Sequence, residues 1–255
     1  RFPLGKLRWA APSWASPGGS KAIVLANRLP NAPARLRLGT RHESIPWRHT
    51  MRHLVLLPAL LAAIGLTSLA LGEEGFSPLF DGKTLDGWHG DMSLWEVQDG
   101  MIVGSSEGAT LTHNTFLSTK KSYKNFVLKI EFKLRNHNSG VQVRSQQRDD
   151  FVVAGYQADI ADKRYMGILY EERGRGILAD VDPGEVAKHL KPDGWNEYVI
   201  TCDGPRLKFE LNGFTTVDYT ETSDVGAKEG IIALQLHQGP PMQVSFRNIR
   251  IKELP

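Results

Sequence analysis

From residue 73 to the C-terminus the chain is written almost wholly in period two. Phe126–Leu134 alternates without a fault, with Phe126, Leu128, Ile130, Phe132 and Leu134 on one parity and Val127, Lys129, Glu131 and Lys133 on the other. Successive side chains of a β-strand point to opposite faces, so this stretch predicts a strand with one buried and one wet side. Asn196–Asp203 places Tyr198, Ile200 and Cys202 on one parity, and Arg206–Asn212 does the same with Leu207, Phe209 and Leu211. Asp99-Gly100 and Asn212-Gly213 each sit between two such runs, and these dipeptides favour the tight turn of a β-hairpin. In Val244–Ile251 the apolar parity slips between Phe246 and Ile249, as a β-bulge produces. Helical spacing is confined to Pro183–Leu190. Short strands joined by Gly, Asn and Asp turns predict an all-β fold, a two-sheet sandwich or jelly roll.

Three of the predicted strands carry polar pairs two residues apart. They are Gln142/Arg144 in Gly140–Ser145, Gln157/Asp159 in Gly155–Ala161 and Gln235/His237 in Gly230–Gln238. Residues i and i+2 share a face about 6.6–7 Å apart, while Val141, Val143, Tyr156, Ala158, Ile160, Ile232, Leu234 and Leu236 alternate with them toward a core. If these strands share a sheet, one face holds an acid, an imidazole, a guanidinium and three amides. Such a face suits a polyhydroxylated ligand. The outward Lys and Glu of other strands are expected on the opposite, convex sheet.

The first 72 residues read differently. Residues 1–50 contain no Met, carry nine Lys or Arg against the single acid Glu43, and show no sustained period. That composition predicts a non-native or disordered extension. Met51-Arg52-His53, the apolar Leu54–Leu66 and the small-x-small Ser68-Leu69-Ala70 predict a secretory signal peptide over residues 51–72, with a membrane anchor as the alternative. The mature protein is then one domain, residues 73–255, periplasmic or secreted and free of the membrane after cleavage. The full chain has net charge +3, but residues 1–72 hold ten of its 31 basic groups and one of its 28 acids, which leaves the domain at −6. A domain of that charge has no electrostatic reason to bind nucleic acid or an anionic membrane. Cys202 is the sole cysteine, which excludes an intrachain disulfide and predicts a buried core thiol.

Seven strings then occur in order. Phe80-Asp81-Gly82-Lys83-Thr84-Leu85-Asp86-Gly87-Trp88 opens the domain, followed by Trp95-Glu96-Val97-Gln98-Asp99-Gly100. Asn138-Ser139-Gly140-Val141-Gln142-Val143-Arg144 and Gly155-Tyr156-Gln157-Ala158-Asp159-Ile160 come next. Trp195-Asn196-Glu197-Tyr198, Leu211-Asn212-Gly213 and Phe246-Arg247-Asn248-Ile249 complete the set. Together they closely resemble the 3-keto-disaccharide hydrolase family, secreted bacterial domains, over about residues 76–254. The resemblance implies a concanavalin A-like jelly roll of the lectin/glucanase type. It also implies cleavage of sugars oxidised at carbon 3, by elimination and hydration or by net hydrolysis. Many members carry Glu where this chain has Gln157, so no carboxylate role passes to that position and Asp159 becomes the candidate.

A ketone at carbon 3 acidifies the hydrogen on carbon 2. The reaction needs a base, a donor for the enolate oxygen and an acid for the departing oxygen. His237 is the expected base, since imidazole titrates in the required range. Arg144 is the expected clamp on the enolate or a hydroxyl, and Asp159 the acid or the residue that orients His237; a plain Arg144–Asp159 ion pair is the structural alternative. Gln142, Gln157 and Gln235 are expected to bind hydroxyls. Glu171 lies in an expected rim loop, Tyr170–Arg175, as a second carboxylate or a solvated charge, and His137, just before a strand, is a further substrate-binding candidate. Trp195 either stacks on a sugar ring or fills the core. His237, Asp159 and Glu171 are also acceptable ligand types for a divalent metal, although no short-range ligand motif joins them. The chain holds no dinucleotide fingerprint, so the expected partner is a separate sugar 3-dehydrogenase supplying the oxidised saccharide. Two other readings stay open: a non-catalytic glycan-binding module, and a conventional endoglucanase-like glycosidase with two carboxylates astride the bond.

Overall fold

Asp99 and Gly100 both take positive φ, 50° and 76°, and so do Asn212 and Gly213, at 50° and 84°. Each dipeptide closes a two-residue hairpin, pairing Gln98 with Met101 and Leu211 with Phe214. That backbone twist matches the twist of the flanking strands, which is why Asn-Gly and Asp-Gly were readable as turns. The structure, a computed structural model, describes residues 73–161 and 164–255. The extension, the signal peptide and the cleavage point expected within residues 1–72 lie outside the described residues.

The strands run in chain order as β1 (Ser77–Pro78), β2 (Trp88–His89), β3 (Trp95–Gln98), β4 (Met101–Ser105), β5 (Thr115–Thr119), β6 (Phe126–Leu134) and β7 (Asn138–Gln147). After a 3-10 turn at Asp149–Phe151 come β8 (Val153–Ala161), β9 (Leu169–Glu172) and β10 (Gly176–Ala179). A helix, α1 (Pro183–His189), precedes β11 (Asn196–Asp203), β12 (Arg206–Leu211), β13 (Phe214–Thr220), β14 (Ile231–Leu236) and β15 (Gln243–Glu253). The helix sits where helical spacing was found, and Asp182 caps it by accepting from the amides of Gly184 and Glu185.

Among the described residues all strand pairings are antiparallel, in two sheets. The first is ordered β13-β12-β11-β6-β15-β4-β3, with β1 added on β15; the second is β10-β9-β8-β7-β14-β5-β2. Between them lies the core that the alternation predicts. In the first sheet Tyr198 pairs with Ile130, Ile200 with Leu128 and Cys202 with Phe126. In the second, Val141, Val143, Tyr156, Ile160 and Leu234 face them, and all of these side chains are buried. Each large apolar side chain so placed contributes roughly 1.5–3 kcal/mol relative to exposure. Burial pushes the Cys202 thiol up to about 12, as befits an inert core residue.

The bulge anticipated in the last strand is present: the β15–β6 register shifts between Arg247 and Arg250, and Asn248 has φ 51°. A second bulge was not anticipated. The β7–β8 register shifts between Val143 and Gln146, with Arg144 at φ 47°. The outer face of the second sheet is also less wet than expected. Beside its amides lies a small apolar cluster of Phe116, Val153 and Ala233, all buried. The Asp149–Phe151 turn lies against β5, and His113 Nε2 meets the Asp150 carbonyl at 3.1 Å. Among the described residues no helix is long and apolar enough to cross a membrane.

Candidate active site

On β8 the residues alternate, so Tyr156, Ala158 and Ile160 enter the core while Gln157 and Asp159 stand on the outer face. Asp159 lies opposite Gly140 on β7, and Gln157 opposite Gln142. On the other side Tyr170 of β9 pairs with Gln157. Two residues on, Glu172 shares the parity of Tyr170. These side chains surround a cavity of about 270 Å³, which Asn138 and His237 also line. Asn114 and Tyr165 close its rim.

Asp159 is 4% exposed and accepts from Asn138 Nδ2 at 3.2 Å. Burial raises its pKa to about 7, the charge of Glu172 adds to the rise, and the amides of Asn138 and Gln157 oppose it. From the core side, the Tyr198 hydroxyl donates to the Asp159 carbonyl at 2.6 Å and fixes that point of the strand. A carboxylic acid that titrates near neutrality therefore sits in a rigid wall of the cavity.

His237 follows β14. Its pKa is lowered, first by burial and further by His137, while contact with the Gln238 carbonyl and the charge of Glu172 pull the other way. The ring is therefore neutral at pH 7. Its Nδ1 lies 2.6 Å from the Gln238 carbonyl oxygen, and His137 Nε2 lies 3.1 Å from the same oxygen. A carbonyl only accepts, so both of those ring nitrogens carry protons. The Nε2 of His237 is left with its lone pair free. Asn114 braces the site from above, accepting from the Gln238 amide at 2.9 Å and donating to Glu172 Oε1 at 3.2 Å.

Several expected residues fall elsewhere. Arg144 is 1% exposed and donates to the carbonyls of Lys124 and Gly204 and to Asn125 Oδ1, at 2.6, 2.7 and 3.0 Å. The bulge at Arg144 reverses its side, so Ser145 takes the outer face and the guanidinium lines a separate cavity. It makes neither the enolate clamp nor the ion pair with Asp159. Glu171 has the parity opposite to Glu172, pairs with Tyr156 in register and is held by Arg175 at 2.7 Å. Trp195 precedes β11 in the first sheet, where the Arg247 guanidinium covers its ring at 4.0 Å, so it stacks on no ligand of this cavity. Gln142 and Gln235 are fully buried and bond laterally within the amide row, which leaves Gln157 as the glutamine that reaches the cavity. His137 remains at the site as the edge-to-face neighbour of His237, with ring centres 4.9 Å apart.

The metal trio of His237, Asp159 and Glu171 is not assembled, because Glu171 faces away; among the described residues no three His, Cys, Asp or Glu side chains converge to hold a metal. The sequence suggests a rim loop over Tyr170–Arg175 with Glu171 as its carboxylate, whereas Leu169–Glu172 is strand β9 and Tyr170 and Glu172 reach the cavity; Tyr165 and Asn114 were missed. Tyr170 and Glu172 carry the same i, i+2 signature as the other pairs. Asn114 and Tyr165 lie in connections and gave no signal.

With this geometry established, its relatives become informative. A family model described as the 3-keto-alpha-glucoside-1,2-lyase-like domain matches residues 75–252. A 3-keto-disaccharide hydrolase of Bacteroides thetaiotaomicron is 27% identical over 235 residues, covering 73% of this chain and 81% of that protein. The structure of a candidate glycosyl hydrolase of Parabacteroides distasonis matches with TM-score 0.51 at 25% identity, over 70% of this chain and 99% of its own. The carbohydrate-binding module CBM66 of Bacillus subtilis matches with TM-score 0.51 at 15% identity, over 66% of this chain and 96% of its own, a likeness of fold alone.

Proposed function

The chain belongs to the 3-keto-alpha-glucoside-1,2-lyase-like domain family, and from that premise we propose that its cavity cleaves glycosides oxidised at carbon 3. The observation that carries this reading is the pairing of Asp159 and His237 in one cavity with their pKa values displaced in opposite directions. Acid and base roles separate when two groups are pushed apart in this way. At pH 7 His237 is neutral with a free Nε2, which suits a base. Asp159 is about half protonated there, which suits an acid.

In the proposed reaction His237 Nε2 takes the proton from carbon 2, and the electron pair of that C–H bond becomes the enolate. The enolate collapses, the bond from carbon 1 to the glycosidic oxygen breaks, and Asp159 protonates the departing oxygen. The ring product then carries a double bond between carbons 1 and 2 conjugated to the ketone. Addition of water across that bond completes net hydrolysis. Gln157, Tyr165 and Tyr170 offer N–H or O–H groups to the sugar oxygens. The ketone arises by oxidation of a secondary alcohol, so a sugar 3-dehydrogenase is the proposed supplier, acting in the same periplasmic or extracellular space.

One observation favours a second reading. Asp159 and Glu172 line the same cavity, with the pKa of Asp159 raised, and a conventional glycosidase uses two carboxylates in unlike environments. The experiment is mass spectrometry of products from the protein incubated with a 3-keto-disaccharide and with its unoxidised parent. Cleavage of the oxidised sugar alone supports the elimination reading, and a transient product lighter by one water identifies its first step. Equal cleavage of both sugars supports the two-carboxylate reading. Binding without cleavage of either supports a glycan-binding module.

A further inference from the structure

Beneath the cavity floor runs a row of hydrogen bonds with a single direction. Ser145 Oγ has Gln142 Oε1 as its nearest acceptor at 2.6 Å, with the Val143 and Tyr156 carbonyls at 2.9 and 3.3 Å, and Gln142 Nε2 donates to Gln157 Oε1 at 2.8 Å. Gln157 Nε2 then faces Gln235 Oε1 at 3.5 Å, with Asp159 beside it. Each amide turns its carbonyl back toward Ser145 and its NH2 onward. Ionised or protonated, Asp159 keeps an acceptor oxygen, which suits the NH2 end of the Gln157 amide beside it. Gly140 makes room for this arrangement, since a Cβ there would stand 2.4 Å from Gln157 Cδ. Ser145 and Gln142 are buried and do not line the cavity, whereas Gln157 does.

With its carbonyl engaged by Gln142 and one N–H directed at Gln235 Oε1, Gln157 keeps a single N–H, on the side of Asp159, to offer the cavity. A free amide turns to suit either a donor or an acceptor; a locked one is committed before the ligand arrives. Preorganised donors stabilise an oxygen whose charge grows in the transition state, because nothing has to reorganise at that moment. We propose that Ser145 and Gln142 are positioning residues that lock the Gln157 amide with its N–H toward the cavity, as the donor for the sugar oxygen that becomes negatively charged. This rests on the reading of the site as one that forms an enolate from a 3-keto sugar.

The test uses residues 73–255 as wild type, Ser145→Ala, Gln142→Met and Gln157→Leu, with thermal melting to confirm that each folds. Gln157→Leu is expected to lower kcat about 10²–10³-fold, the cost of one oxyanion donor. Ser145→Ala and Gln142→Met are expected to lower kcat about tenfold, well short of that full cost, with KM little changed. Adding Ser145→Ala to Gln157→Leu is expected to do nothing more, since Ser145 acts only through Gln157. An equal further loss in the double variant overturns the proposal, as does a rise in KM with kcat unchanged. A second readout needs no substrate: the side-chain NH2 protons of Gln157 exchange slowly with solvent in the wild type and faster in Ser145→Ala. Unchanged exchange overturns the lock. A wild type that cleaves no 3-keto sugar overturns the donor role together with the reading of the site, and faster exchange in Ser145→Ala would then leave the lock itself standing.

Discussion

His137 and His237 meet edge to face with ring centres 4.9 Å apart and planes at 88°, and both present a ring nitrogen to the carbonyl of Gln238. The shared carbonyl selects the tautomer of His237, and the neighbouring imidazole opposes its protonation. His137 thus helps to keep the proposed base neutral. In His137→Ala the pKa of His237 is expected to rise. The base must be unprotonated to act, so a higher pKa removes activity earlier as the pH falls. The acid limb of kcat/KM against pH is therefore expected to move upward, and NMR titration of the His237 ring is expected to follow it.

The wild-type pH profile is expected to be narrow. Its acid limb reports His237, below the ordinary histidine value, and its alkaline limb reports loss of the Asp159 proton near pH 7. Glu172 helps to hold Asp159 up, so Glu172→Gln is expected to shift the alkaline limb to lower pH while leaving cleavage within about tenfold of wild type. A loss of about 10³-fold or more in Glu172→Gln would instead mark it as half of a carboxylate pair.

Asp159 should also be visible in stability. Its folded pKa, about 7, lies above the ordinary 3.8, so the folded state binds the proton more tightly than the unfolded chain. That contribution is fully present below about pH 4 and is lost as the pH rises through 7. The gap sets a ceiling of about 4 kcal/mol. Asp159→Asn is accordingly expected to be more stable than the wild type at pH 8, and not at pH 4, while losing about 10²–10⁴-fold in kcat. Chemical denaturation at the two pH values checks the first half, and turnover checks the second.

Arg144 joins the second sheet to the Lys124–Asn125 segment and to Gly204 in the β11–β12 turn, through three hydrogen bonds. Arg144→Met removes three hydrogen bonds from a charged donor to acceptors on partly buried or exposed residues, so a destabilisation of about 1.5–3 kcal/mol is expected. The fraction that remains folded is expected to keep the wild-type KM, because the guanidinium does not reach the sugar cavity. A specific rise in KM in the folded protein would put Arg144 back in the site.

What could be read from the sequence was what neighbouring residues decide. The Asp99-Gly100 and Asn212-Gly213 turns, the parity of Phe126–Leu134 and the slip between Phe246 and Ile249 all depend on a few adjacent side chains. So does the outward placement of Gln157 and Asp159. Arg144 defeated the same reasoning, because a single residue at positive φ inverts parity and an arginine there gives no warning. In β9 the run Leu169-Tyr170-Glu171-Glu172 does not alternate, so the choice between its two glutamates rested on pairing with β8. Burial of Gln142 and Gln235 depends on neighbours distant in sequence, as does the brace from Asn114 to Glu172.

In the proposed reaction the proton on carbon 2 leaves before, or as, the glycosidic bond breaks. The most direct measurement compares single-turnover cleavage of a 3-keto-disaccharide carrying hydrogen or deuterium at carbon 2 of the oxidised ring. Slower cleavage of the deuterated sugar by severalfold is predicted, with cleavage by His237→Ala close to abolished. Equal rates for the two sugars, at an undiminished rate in His237→Ala, would exclude proton removal from carbon 2 by His237 as the step that opens the bond.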